Sequence, residues 1–330
     1  MKKISVIVPV YNVESYIEKS LLSALNQTYD NIEYVIVDDC GSDNSISIVG
    51  KLKNQFKDKD IKIIHHTHNR GLSAARNTGI VNSTGEYIYF MDPDDTISHD
   101  CIEEHLNAIQ KYDADFTNAN IRVIGGRQKL FKTIKDVSLI NTSDILIGCF
   151  VGDILITACN KLYNKEFIVK NNFQFVEGLV FEDIIWTIDL AQIARKVVMI
   201  PDFTYHYYIR GESITTSVSI KNVIKKHDSL IYVLNHIIHI YQRSQNKKLL
   251  RSISKWLSKI RFKTSAKLVS MDIDENTKKE IFSKINTNLF KKHSRGVYSY
   301  LCNMPYPIFK AFTYIPYTIF NAIKKLKYNR

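Results

Sequence analysis

Residues 85–95 have the sequence GEYIYFMDPDD, which joins a strand-like run to a cluster of carboxylates. Residues 87–90, which follow a turn glycine, are aromatic or β-branched and predict a buried strand. Pro93 has no backbone N–H to donate, so it should end the strand. The three carboxylates after the strand, Asp92, Asp94 and Asp95, repel one another, which favours a bound divalent cation such as Mg²⁺ or Mn²⁺. The alternative is a solvated acidic turn that caps the next helix.

The composition is that of a globular protein. The chain has 330 residues, of which 45% are hydrophobic and 24% charged. This length fits one large domain or two smaller ones. Its five scattered cysteines have no CxxC spacing, which indicates reduced thiols and argues against a zinc site. The N-terminus leads into a short strand-like run without a signal-peptide core, so we expect a cytoplasmic protein.

Charge is distributed unevenly along the chain. Residues 221–330 carry 23 Lys/Arg and 5 Asp/Glu, a net charge of +18, whereas residues 1–220 carry 22 and 28, a net charge of −6. Such asymmetry suggests an anionic partner for the second part, either nucleic acid or a membrane surface. Residues 223–242 and 246–270 also have the apolar spacing of amphipathic helices. We therefore expect two domains, 1–220 and a basic, mostly helical 221–330.

Strands alternate with helices over the first ninety-odd residues, and each strand is followed by polar residues. Apolar strands in such an alternation predict an α/β fold with a mostly parallel sheet. Ligands bind beyond the carboxyl ends of such strands. The polar residues predicted at the four strand ends are Tyr11, Asn12, Asp38, Asp39, His68, Asn69, Asp92, Asp94 and Asp95. Because neither GxGxxG nor GxxxxGK is present, a metal ion should compensate phosphate charge.

Two later segments bear on the same pocket. Glu182 and Asp183 open a predicted helix over 183–194, either as partners of the helix dipole or with one of them as a general base. Lys161 lies among apolar residues and either snorkels or faces the pocket. Residues 205–213 combine aromatic and basic side chains, which predicts a loop that closes over a charged ligand.

Together these stretches resemble glycosyltransferase family 2, the inverting nucleotide-sugar transferases of the GT-A fold. The matching stretches are VIVPVYN (6–12), VDDCGS (37–42), NRGLSAARN (69–77), MDPDD (91–95), NKLY (160–163), EDIIW (182–186) and YIRGES (208–213). They cover roughly residues 1–217 in the family's order. One departure is Cys40, where glycine is common in the family. The resemblance implies a Rossmann-like, mostly parallel central sheet followed by a helical C-terminal region.

The resemblance also implies roles for individual residues. Tyr11 would stack on the uracil of a UDP-sugar, and Asp39 would accept a hydrogen bond from its imide N–H. Asp92 and Asp94 would form the DxD element, with Asp94 in direct contact with Mn²⁺ or Mg²⁺. Asp183 would be the catalytic base. The nucleotide-sugar set is Pro9, Val10, Tyr11, Asn12, Asp39, Asn69, Arg76, Asp92, Pro93, Asp94 and Arg210. The acceptor-side set is Glu182, beside the base, with Lys161 and Trp186.

The expected reaction is metal-dependent transfer of a sugar from a UDP-sugar to a hydroxyl of a glycan acceptor. A single base with in-line displacement inverts the anomeric centre, so an α-linked donor gives a β-linked product. By resemblance, the acceptor is a lipid-linked saccharide in cell-surface polysaccharide synthesis. The apolar, aromatic run 306–323 and the lysines after it fit a segment lying on a membrane surface. The resemblance implies that this surface is the inner face of the cell membrane. Alternatively, this run packs on the catalytic domain.

Two other functions compete with this expectation. A sugar nucleotidyltransferase also pairs an α/β nucleotide fold with two aspartates and Mg²⁺, but it requires a glycine-rich loop where this chain has Pro9 to Asn12. A nucleic-acid-binding protein would use the basic region 221–330. No recognisable nucleic-acid-binding module accompanies that charge, so we expect no nucleic-acid partner.

Overall fold

The computed structural model describes residues 1–125, 131–209 and 219–313. The chain divides into two compact units, Met1–Ser213 and Ile214–Arg330. The sequence-based boundary, between residues 220 and 221, lies a few residues further along the chain. The first unit contains the β-sheet, and the described part of the second unit is helical.

The first unit is built on one mixed sheet. Its strands are β1 (Ile4–Val10), β2 (Ile32–Asp38), β3 (Asp60–His65), β4 (Tyr87–Phe90), β5 (Thr96–Ile97), β6 (Phe116–Ile124), β7 (Ser138–Asn141), β8 (Leu162–Asn164) and β9 (Lys196–Tyr208). Among the described residues the strand order is β3-β2-β1-β4-β8-β6-β9-β5, with β7 paired to β9. The pairs β3–β2, β2–β1, β1–β4 and β6–β9 are parallel, whereas β8, β5 and β7 run antiparallel to their neighbours. The predicted α/β fold with a mostly parallel sheet is confirmed.

Helices follow most strands. Those of the first unit are α1 (Ile17–Leu25), α2 (Ser45–Gln55), α3 (Leu72–Asn82), α4 (Cys101–Tyr112), α5 (Thr142–Val151), α6 (Lys165–Lys170) and α7 (Glu182–Ile193). Strand β1 is buried along its whole length because helices cover both of its faces. Val6 and Val8 join the cluster that contains Leu21 of α1, whereas Ile7 lies against Gly79 of α3.

The start of β4 is fixed by a close approach of two backbones. A Cβ atom at Gly85 would lie 2.6 Å from Ser5 Oγ and 2.7 Å from Ser5 N, so glycine is required for space and not for a turn conformation. Glu33, fully buried in β2, accepts hydrogen bonds from Gly85 N–H (3.1 Å) and Thr84 Oγ1 (2.7 Å). Lys62 Nζ, 2.7 Å away, supplies its counter-charge. A buried carboxylate therefore holds the segment that leads into the acidic turn.

The second unit packs helices around its own apolar core. Its helices are α8 (Ile220–Arg243), α9 (Lys247–Val269), α10 (Glu275–Ile285), α11 (Asn288–His293) and α12 (Val297–Cys302), and 306–313 are also helical. The two amphipathic helices predicted over 223–242 and 246–270 are confirmed as α8 and α9. None of the helices within the described ranges is long and apolar enough to cross a membrane. Residues 314–323 of the predicted surface-lying run are outside the described residues.

Candidate active site

The acidic turn after β4 is tied to the end of β9. Asp95 is buried, and its carboxylate accepts hydrogen bonds from Tyr205 Oη (2.9 Å) and from the backbone N–H of Tyr208 (2.9 Å). Burial, together with the charge of Asp92, raises the pKa of Asp95 to about 7. Asp95 therefore holds the turn in place.

The loop predicted over 205–213 is wrong in its first part, because Tyr205 to Tyr208 complete strand β9.

A buried arginine connects this turn to the start of α7. The side chain of Arg76, on α3, is 3% exposed and makes two ion pairs. Its Nη2 donates to Asp92 Oδ1 (2.9 Å), and its Nη1 donates to Glu182 Oε1 (2.6 Å). Burial opposes the charged form, but the two carboxylates raise the pKa of Arg76 above its ordinary value. This network brings together three predicted site residues from distant parts of the sequence.

Asp183, the predicted base, lies one residue after Glu182 in the first turn of α7. Burial and then the charge of Glu182 raise the pKa of Asp183 to about 7, against the opposing charges of Arg76 and Lys161. A carboxylate with such a pKa is suited to take a proton near neutral pH.

The end of β1 forms another edge of the site. Tyr11 is 47% exposed, which leaves its ring open to a stacking partner. Asn12 adopts a left-handed conformation (φ +50°), and its Oδ1 accepts the N–H of Ser42 (2.8 Å). Pro9 and Val10 lie within the buried strand. Of the four residues predicted to meet the nucleotide here, Tyr11 and Asn12 are therefore the exposed ones.

Asp39, after β2, supports the loop that enters α3. Its Oδ1 accepts the N–H of Arg70 (2.8 Å) and lies 2.7 Å from Nδ1 of His66, and its Oδ2 accepts the N–H of Gly71 (2.8 Å). Gly71 has φ +90°, a conformation that favours glycine. Asn69 is exposed on the same loop. The predicted bond from Asp39 to a uracil would have to share an oxygen with these contacts.

Two predicted acceptor-side residues lie inside the protein. Trp186 is 2% exposed and stacks on Phe175, with 4.1 Å between ring centroids. Lys161 is fully buried, and its Nζ donates to the carbonyl (2.7 Å) and Oγ1 (3.0 Å) of Thr157. Neither side chain reaches the surface, so a direct contact with an acceptor does not fit this structure. Arg210, predicted for the nucleotide, is outside the described residues.

Phe175 is a residue of the site that was not predicted. Its ring centroid lies 5.2 Å from the guanidinium carbon of Arg76 as well as against Trp186. The backbone of the same residue exchanges hydrogen bonds with Asn77, which follows Arg76 on α3. Phe175 stands in no apolar repeat that would separate it from ordinary core residues, so no sequence signal could have identified it.

The residues of the acidic turn fit a divalent cation that is held partly by the protein and partly by a bound diphosphate. Asp92 is one third exposed (33%), and Asp94 is partly exposed beside it. Mg²⁺ is commonly held by one or two carboxylates together with substrate phosphates. Within the described ranges, no group of three or more His, Cys, Asp or Glu side chains is arranged to hold a metal ion. The acidic turn therefore fits a site that a diphosphate would complete.

Known proteins are similar to this chain over much of its length. A family model described as Glycosyl transferase family 2 matches residues 5–170. The chain is 34% identical over 229 residues to glycosyltransferase GlyA of Streptococcus pneumoniae, covering 64% of this chain and 31% of GlyA. It is 29% identical over 219 residues to poly(ribitol-phosphate) beta-N-acetylglucosaminyltransferase TarS of Staphylococcus aureus, covering 64% of this chain and 36% of TarS. The chain thus spans about a third of the length of both relatives.

A solved structure has the same architecture. The crystal structure of S. aureus TarS 1-349 in complex with UDP-GlcNAc superposes with a TM-score of 0.74 at 20% identity. The match covers 94% of this chain and 88% of that one, so it includes helical as well as α/β parts. It confirms the predicted GT-A type of fold with a helical C-terminal region.

Proposed function

Because the chain belongs to glycosyltransferase family 2, we propose that it transfers a sugar from a UDP-sugar to a hydroxyl of a glycan acceptor, with inversion at the anomeric carbon. The family match argues against the nucleotidyltransferase alternative. TarS, which has the same fold, is named as a β-N-acetylglucosaminyltransferase and forms a complex with UDP-GlcNAc. UDP-N-acetylglucosamine is therefore the first donor to test.

One observation carries the proposal. The Arg76 guanidinium joins Asp92 of the acidic turn to Glu182 at the start of α7, and Asp183 follows directly. A transferase needs a donor-binding element and a base within one substrate's length of each other. Three charged side chains from separate parts of the chain, linked at 2.6 and 2.9 Å, meet that requirement.

The chemistry assigned to the chain is a single displacement. The proton of the acceptor hydroxyl moves to the Asp183 carboxylate while the acceptor oxygen bonds to the anomeric carbon. The bond between that carbon and the diphosphate oxygen breaks, and UDP leaves with the bonding electron pair. Attack from the face opposite the leaving group makes an α-linked donor give a β-linked product. Glu182 would orient the acceptor from beside the base.

We assign the cation to Asp92 and Asp94, with Asp94 as the direct ligand. A bound Mn²⁺ or Mg²⁺ would neutralise charge on the departing diphosphate. Tyr11 would stack on the uracil, with Asn12, Asp39 and Asn69 around the nucleoside.

The test separates donor binding from transfer. We expect Asp94→Ala to lose metal-dependent UDP binding in calorimetry. Asp183→Asn should keep UDP binding within about two-fold but lower transfer by about 10²–10⁴-fold, the usual contribution of a general base. The control is Asp58→Asn, an exposed carboxylate on the surface. Transfer at the unchanged rate by Asp183→Asn would refute the base assignment, and absence of UDP binding by the unmodified protein would refute the function.

We further propose that the second unit rests on the inner face of the cell membrane, where a lipid-linked acceptor would be found. Its net positive charge would attract anionic headgroups. Tyr300 and Phe312 are 70% and 61% exposed and could enter the interface between headgroups and acyl chains. The full chain should sediment with phosphatidylglycerol vesicles and not with phosphatidylcholine vesicles. Salt-sensitive binding to duplex DNA without binding to either vesicle would favour the nucleic-acid alternative.

A further inference from the structure

Lys161 is a buried cation that has no adjacent counter-ion in the described part of the chain. Its side chain is 0% exposed, and its ammonium donates to two oxygens of Thr157. Among the described residues, no carboxylate lies within ion-pair distance of it. Burial lowers the pKa of Lys161 to about 8, so the charged form still predominates at pH 7. An isolated buried charge is costly, and such a residue calls for a role other than stability.

The turn that carries Lys161 is specified by its neighbour. Asn160 is buried and left-handed (φ +57°), a conformation that non-glycine residues adopt at a cost. Its Oδ1 accepts from Thr204 Oγ1 (2.7 Å), and its Nδ2 donates to the Asn120 carbonyl (3.0 Å). His105 Nε2 lies 3.3 Å from the same Oδ1. These bonds fix the position of the backbone from which the Lys161 side chain extends.

Thr157 links Lys161 to the helix of the proposed base. The carbonyl that accepts from Lys161 Nζ also lies 3.4 Å from Thr187 Oγ1 on α7. Thr187 comes four residues after Asp183, so the two occupy the same face of α7. The ammonium of Lys161 therefore shares its acceptor, the Thr157 carbonyl, with a residue one turn from Asp183 on the same face of α7.

The charges around Asp183 come from four parts of the chain. Glu182 on α7 and Asp92 of the acidic turn oppose ionisation of Asp183, whereas Arg76 on α3 and Lys161 favour it. Arg76 is already paired with both of the opposing carboxylates. Lys161 is the cation in this group that has no carboxylate of its own among the described residues.

We propose that Lys161 is a positioning residue for the transfer reaction: its buried ammonium favours the ionised form of Asp183, and Thr157, which also contacts α7 through Thr187, fixes the position of that ammonium. The inference rests on the proposed function, because it takes Asp183 as the base. Lys161 acts through Asp183 and does not touch the substrate.

Lys161→Met tests the proposal because it removes the charge and nearly preserves the volume. Without an opposing cation a carboxylate is more easily protonated, so the acidic limb of the kcat/KM profile should move to higher pH by about one unit. Activity should fall about five-fold at pH 7 and return to within about two-fold of the unmodified enzyme at pH 9. The melting temperature should stay the same or rise, since a buried unpaired charge has been removed. The control is Lys170→Met, which replaces an exposed lysine at the end of α6 and should change neither the pH profile nor the melting temperature.

The outcomes are distinct. An unmoved acidic limb in a folded Lys161→Met variant would overturn the proposal, and so would a lower rate that is equal at every pH. If that variant does not fold, Lys161→Gln, which retains a donor for Thr157, should show the displaced limb, and an unmoved limb would again overturn it. Failure of the proposed function gives a different result, because the unmodified protein would then not transfer sugar from any UDP-sugar.

Discussion

Replacing Arg76 by methionine is the perturbation that most directly tests how the site is assembled. The substitution removes the charge that Asp92 and Glu182 share, and leaves the buried Glu182 and the partly exposed Asp92 without a cation between them. Removing one partner of a buried ion pair costs about 3–5 kcal/mol of unfolding free energy. Solvent screens part of this loss, because the Asp92 side chain is 33% exposed. We therefore expect the lower end of that range, about 3 kcal/mol.

The matched control is Arg70→Met. Arg70 pairs with Glu177 at 3.2 Å, but these side chains are 39% and 48% exposed. Exposed pairs contribute at most about 1 kcal/mol. In thermal unfolding followed by circular dichroism, Arg76→Met should lower the melting temperature by about 6–12 °C, and Arg70→Met by no more than about 3 °C.

A double variant identifies the cause. Adding Glu182→Gln to Arg76→Met removes one of the two carboxylates that have lost their cation. The loss of unfolding free energy in the double variant should therefore be smaller than the sum of the two single losses by about 1–3 kcal/mol. Equal losses for Arg76→Met and Arg70→Met would refute the importance of the buried network. Simple additivity in the double variant would show that Arg76 stabilises by packing alone.

Two further predictions concern the start of β4. Burial opposes ionisation of Glu33, but hydrogen bonds from Lys62, Ser5 and Thr84 hold the pKa of Glu33 well below its ordinary value. The ionised carboxylate therefore stabilises the fold above about pH 4.3, and this contribution is lost as the pH falls further. Glu33→Gln should therefore cost about 2–3 kcal/mol at pH 7, with a difference from the unmodified protein that shrinks below pH 4 in urea titrations. Gly85→Ala should cost about 2–3 kcal/mol because its methyl group would meet Ser5, whereas Gly50→Ala in α2, with no atom within 4 Å, should be neutral or stabilising. Equal melting temperatures for the two alanine variants would contradict the close approach at Gly85.

Much of the first unit could be predicted because its strands are buried on both faces. Runs that are mostly apolar, such as 4–10 and 34–37, indicate strands of this kind, and the parallel arrangement places their carboxyl ends at one edge. The order of β8, β6 and β9 could not be predicted, since these strands are short or pair irregularly. Their placement depends on contacts between residues far apart in the chain.

The limits are clearer for side chains. The polar type of Lys161 indicated a pocket residue, but its ammonium is satisfied inside the protein by Thr157, a threonine that has no distinguishing neighbours in the sequence. Trp186 matched the family's pattern, and the structure shows that it packs on Phe175 in the core. A motif gives the residues that occur together. Which of them contact a ligand and which support those contacts is decided by burial, and burial depends on the whole fold.

The structure also changes the reason for expecting a cation at the acidic turn. From the sequence, the repulsion among three neighbouring carboxylates favoured an outside counter-charge. In the structure Asp92 has the guanidinium of Arg76 at 2.9 Å, and Asp95 is tied to β9 with a pKa raised to about 7, so the turn is already partly neutralised. Repulsion within the turn is thus a weak argument for a metal ion. The stronger one is the diphosphate itself, whose charge no glycine-rich loop would compensate, and it predicts that cation binding to this protein is weak alone and strengthened by UDP. Calorimetric titration of Mn²⁺ with and without UDP would decide between the two arguments, because a site made by carboxylate repulsion would bind Mn²⁺ equally in both.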